Sequence, residues 1–155
     1  MAINFKLVSE FQTIHRRSFE LADTTILNPN NANPLIDGEW LQLDGNYKMA
    51  RGTGPGGAAE PSYCYFGEQG RYETQAIGKG PFLYMGEYEA DTKVFDSSGL
   101  STTVVGEAMM VDDVTYGALT RKGLKLASST NYIVGRTTRL SASNNGFLRF
   151  RTVNG

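Results

Sequence analysis

From Pro29 onward, glycines and prolines recur so densely that no long helix fits between them. Glycine alone fills 18 of the 155 positions. Glycine weakens a helix interior and proline breaks one, so this punctuation favours many short strands joined by turns. The segments between the breaks agree. In PFLYMGEYEA, Phe82, Tyr84 and Tyr88 alternate with Leu83, Met85, Glu87 and Glu89, which reads as one strand. In FLRFRTV, Leu148, Phe150 and Thr152 face one way and Phe147, Arg149 and Arg151 the other. SYCYF is a short aromatic strand, and Tyr132–Leu140 is another strand. EWLQLDGNYKMARG reads as a hairpin, with Asp44-Gly45 as the pair tolerating positive φ, and Asn145-Gly146 repeats that signal. Asp112-Asp113 and Lys122-Gly123 read as further turns. The single place for a helix is a short one around Val114–Lys122. Strands at such spacing predict an all-β, antiparallel barrel or sandwich.

The length suits one domain with a real core. A net charge of −1 supplies no field drawing the protein to nucleic acid or a membrane, so neither is an expected partner. No apolar run reaches bilayer-spanning length, and MAINFKLVSEFQ lacks the apolar core of a secretory signal. The chain thus reads as soluble and made in the cytosol. One cysteine and one histidine cannot build a thiolate or imidazole zinc site, and no metal or other cofactor is expected.

The stretch ARGTGPGGAAEPS matches G-x-G-x-x-G at Gly52, Gly54 and Gly57. A dinucleotide loop needs a helix behind it, but Pro61 and an aromatic strand follow. Pro55 also removes an amide that a phosphate would need, and no Lys-Ser or Lys-Thr pair follows. A surface loop is the better reading. Glu87, Glu89 and Asp91 share a strand face at a spacing some glycosidase carboxylates use. Arg149 and Arg151 have the same period, so a solvated face or pairing with a basic strand explains them better. His15 has no partner at a spacing that suggests nucleophilic catalysis, and Cys64 between two tyrosines reads as a small buried residue. The eight tyrosines and eight phenylalanines are read mostly as packing, with a sugar-binding platform or an interface as alternatives for some.

Three segments resemble a known family: LIDGEWLQLDGNYKMARG as an entry hairpin, RYETQAIGKGPFLYMGEYEADTKVFD as a central strand pair, and TNYIVGRTTRLSASNNGFLRFRT as closing strands. Together, over most of residues 35–153, they look like the capsid decoration, or cement, proteins of tailed bacteriophages. The resemblance implies a β-tulip-like body over 35–155. Residues 1–34 lie outside it: Ile3, Phe5, Leu7, Phe19 and Leu21 alternate as extended structure does, Phe5, Val8, Phe11 and Ile14 also fit a helical step, and the prolines at 29 and 34 suit an extended N-terminal arm. The resemblance implies no catalytic residues and no enzyme activity. It implies a virion protein on the outer capsid surface, made in the bacterial host cytoplasm. The partners would be the major capsid protein and further copies of itself, as a dimer or trimer. Candidate contacts are Phe5, Phe11, His15, Arg16 and Arg17 of the arm, with Trp40. Deleting residues 2–27 is expected to weaken capsid binding and leave the β body folded. The competing reading is a small β domain that binds carbohydrate or another ligand, or a tail-associated structural protein.

Overall fold

The structure is a computed structural model that describes residues 3–10, 15–52, 61–67, 78–100, 104–128 and 132–152. It is nearly all β, as the punctuation predicts. Eleven strands are described: β1 (Phe5–Glu10), β2 (His15–Glu20), β3 (Trp40–Leu43), β4 (Met49–Ala50), β5 (Tyr63–Tyr65), β6 (Lys79–Met85), β7 (Tyr88–Thr92), β8 (Ala108–Tyr116), β9 (Leu119–Leu126), β10 (Gly135–Arg139) and β11 (Leu148–Thr152). They form a six-stranded sheet, ordered β1-β7-β11-β10-β8-β9, and a five-stranded sheet, ordered β2-β6-β5-β3-β4. Every strand pairing is antiparallel.

The core lies between the sheets. The six-stranded sheet contributes Phe5, Tyr88, Ala90, Met109, Val111, Leu124, Leu148 and Phe150, and the five-stranded sheet adds Trp40, Cys64 and Leu83. Phe150 sits at its centre, with ring centroids 6.0 Å from Trp40, 6.2 Å from Tyr88 and 6.4 Å from Phe5. The five-stranded sheet also buries much of its other face. There Phe19, Leu41, Tyr65 and Phe82 pack with Leu21, Ile26, Leu27 and Leu35. Residues 21–35 therefore act as a lid on that sheet. Their polar side chains organise the lid: Asp23 accepts from the Thr25 amide (3.0 Å), Asn28 from Asn30 (2.9 Å) and Asn31 from Asn33 (2.8 Å). Such local bonds let Asn and Asp fold a chain without helix or sheet.

The N-terminal region differs most from expectation. Its described part is not an arm separate from the body. β1 pairs with β7, β2 pairs with β6, and residues 21–35 supply core side chains. The alternation that suggested extended structure belongs to two edge strands.

Five local assignments are also corrected. The run PFLYMGEYEA is not one strand. It breaks at Gly86 (φ 105), so β6 lies in one sheet and β7 in the other. Val114–Lys122 is no helix but the tip of the β8–β9 hairpin, where Gly117 (φ 62) and Ala118 (φ 61) form the two-residue turn. Asp112-Asp113 and Lys122-Gly123 are not turns but face each other inside that hairpin, Asp112 opposite Gly123 and Asp113 opposite Lys122. Lys122 Nζ reaches Asp113 at 2.6 Å. Gly123 is required by crowding, because a Cβ there would lie 2.5 Å from the Val94 carbonyl oxygen. In the β3–β4 hairpin, positive φ falls on Tyr47 (φ 61) and not on Gly45. Asp44 instead directs the turn by accepting from the amides of Asn46 (2.8 Å) and Lys48 (2.9 Å).

Candidate functional site

The acidic stripe behaves as cross-strand pairing predicts. Asp91 and Arg149 are direct neighbours on β7 and β11, and the Arg149 guanidinium meets the Asp91 carboxylate at 2.8 and 3.1 Å. That contact also raises the Arg149 pKa. Arg151 bonds to Glu87. Cys64 is fully buried, and burial, with Asp37 and Glu39 nearby, pushes its thiol well above the ordinary range. A thiol held protonated is a poor nucleophile. Among the described residues, His, Cys, Asp and Glu form no group of three that could hold a metal ion, and no helix is long and apolar enough to cross a membrane.

The surface with the most specific chemistry lies on the lid side of the five-stranded sheet, at the end the lid leaves open. Arg17 and Phe19 are two apart on β2 and share a face. The Arg17 guanidinium lies 4.9 Å from the Phe19 ring centre, 5.6 Å from Tyr84 and 5.9 Å from Tyr47. The rings continue across the sheet: Phe19 to Tyr84 at 5.3 Å, and Tyr84 to Tyr63 at 5.1 Å. Burial and the neighbouring tyrosines raise the Tyr63 hydroxyl pKa. A cation over aromatic faces is attracted by the ring quadrupoles. The rings thus hold a guanidinium at the surface. Arg17 is exposed, and among the described residues it makes no ion pair. Tyr47 is 58% exposed and adopts a left-handed backbone that tyrosine rarely takes.

The sequence candidates scatter. Arg17 is in this strip. Phe5 and Trp40 are not surface residues: they lie in the core between the sheets, Phe5 against Phe66 and Phe150 and Trp40 against Phe150. Both are large apolar side chains on inward positions of strands, so burial claims them. Phe11 lies outside the described residues. His15 and Arg16 are in β2, but their side chains lie outside the described set. Residues 53–60 of the glycine-rich stretch also lie outside it, while Arg51 and Gly52 are described.

Arg51 belongs to a buried polar centre with no local sequence signal. Glu39 is fully buried, 3.0 Å from Arg51 and 3.5 Å from Arg121. Arg51 also donates to the Asn33 carbonyl (2.8 Å) and Arg121 to that of Pro34 (2.6 Å). The cluster pins the lid to both sheets. Burial raises the Glu39 pKa, against the lowering pull of Arg51, Arg121 and the Ile36 amide.

No known protein family, curated protein or solved structure matches the chain.

Proposed function

We propose that this chain is a structural virion protein that binds the outer surface of a bacteriophage capsid and cements neighbouring copies of the major capsid protein against internal DNA pressure. The observation that carries this reading is the Arg17–Tyr47–Tyr63–Tyr84 strip on a stiff two-sheet body. Tyrosine and arginine are the residues that dominate protein–protein contacts, because a flat amphipathic ring or guanidinium buries area at low entropy cost. A cement protein needs such a patch on a scaffold that does not yield under load. Two or three copies around a symmetry axis would make each later contact intramolecular, turning modest sites into a tight clamp. The test adds purified protein to expanded capsids that lack it. Saturable binding and greater resistance of the particles to heat are expected. The absence of both effects sinks the reading.

The exposed Tyr47 ring favours a second reading, a carbohydrate-binding β domain, since an open aromatic face is a stacking surface for sugar rings. Binding to a panel of immobilised glycans, lost in Tyr47→Ala, with no capsid binding would select it.

A further inference from the structure

Two independent features coincide on β2. The first is its open edge. β2 ends the order of the five-stranded sheet, and among the described residues no strand pairs with its other side. Ser18 shows which groups face outward. Its partner across β2–β6 is Pro81, which has no amide hydrogen. The Pro81 carbonyl accepts from the Phe66 amide at 3.1 Å, on the side away from β2. Ser18 and Pro81 are therefore a pair without mutual hydrogen bonds, and the N–H and C=O of Ser18 point to the free edge. The second feature is charge. Arg17, the next residue, presents its guanidinium on a bed of three rings without a counter-ion among the described residues. The acid of the strand, Glu20, is already placed 3.7 Å from Lys48. Among the described residues, the edge thus offers unmet strand-pairing groups beside an unmet positive charge and apolar ring faces.

We propose that β2 receives an extended acidic segment of the capsid protein as an added strand, with a carboxylate on Arg17 and its apolar neighbours on Tyr47 and Tyr84. This rests on the capsid reading and names the chemistry of the partner segment. Main-chain bonds along the edge supply affinity, and the Arg17 pocket supplies register and specificity. Arginine suits the role better than lysine because its planar fork both stacks on rings and pairs a carboxylate.

The test measures binding to expanded capsids by wild type, Arg17→Ala, Arg17→Lys, Ser18→Pro and, as a control on β9, Lys125→Ala. Hydrogen exchange at the Ser18 amide is followed with and without capsids. Arg17→Ala is expected to weaken binding about tenfold or more, the worth of a charge-assisted hydrogen bond. Arg17→Lys loses less, Ser18→Pro loses the added strand, and Lys125→Ala binds normally. The Ser18 amide exchanges freely alone and becomes protected on the capsid. Should Ser18→Pro fail to fold, the arginine variants and the exchange experiment decide. Wild-type binding without Ser18 protection, or unaffected by Arg17→Ala, overturns the strand-addition proposal and spares the capsid reading. Absence of wild-type binding overturns the capsid reading itself. A soluble dimer dissociated by Ser18→Pro assigns the edge to a second copy and also overturns the proposal.

Discussion

Glu39 sets the terms at the residue scale. Its carboxylate is out of water, and two arginines do not fully offset that loss, so its pKa rises from the ordinary value of 4.5. A carboxyl that holds its proton more tightly folded than unfolded contributes most at low pH. That contribution is lost as pH climbs from 4.5 through the raised folded value. Glu39→Gln keeps the shape and an acceptor oxygen but discards the charge. It is expected to match or exceed wild type in thermal stability at pH 7, because glutamine mimics the neutral carboxyl that burial favours. The gap opens in favour of the variant as pH rises above 4.5, measured as paired melting temperatures across pH. Marked destabilisation of Glu39→Gln at neutral pH would show that the ion pairs outweigh burial. Tyr47 carries a different cost. Its left-handed backbone is strained for a residue with a Cβ by about 1–2 kcal/mol. Asparagine tolerates that conformation, so Tyr47→Asn should keep the fold and lose binding at the Arg17 strip.

At the scale of elements, β1, β2 and the lid over residues 21–35 matter most. The strand alternation within residues 1–34 is legible in the sequence; that they close the body is not. Removing them takes an edge strand from each sheet and uncovers Leu41, Tyr65 and Phe82. Deletion of residues 1–34 is therefore expected to abolish the cooperative melt seen by circular dichroism, the opposite of what an arm would allow. A deletion variant that still melted cooperatively would restore the arm. Turn chemistry was legible in the same partial way. Asn145 (φ 54) and Gly146 (φ 83) do turn the chain as their pair predicts, whereas Lys122-Gly123 lies inside a strand. Glycine marks either a turn or a close approach, and Gly123 serves the second against Val94.

Over the whole molecule, the larger of two cores is shared by the sheets and the other lies under the lid. Phe150 has ring contacts with Phe5, Trp40 and Tyr88, drawn from three other strands. Phe150→Ala removes the side chain that joins them and is expected to cost about 3–5 kcal/mol in denaturant unfolding. A loss under about 1 kcal/mol would mean that neighbours collapse into the space, as overall hydrophobic burial without shape matching permits. The five-stranded sheet buries both faces over much of its area, which is why Trp40 and Leu41, Cys64 and Tyr65, and Phe82 and Leu83 are adjacent buried pairs. Such a pattern hides alternation, so it tells the strand but not which side is core.

That this chain is β was readable from its residues, since glycine and proline spacing and period-two alternation are local properties of the backbone. The sequence also allowed the acidic stripe to pair with Arg149 and Arg151, because their periods match; that Asp91 takes Arg149 came from the register. It took the folded arrangement to show that Phe5 and Trp40 are core, that Glu39 meets Arg121 across 82 positions, and that Arg17 lies on Phe19, Tyr47 and Tyr84. Those facts depend on strand order and register. Order and register are set by how the two sheets and the lid share buried surface, which no short window of sequence contains.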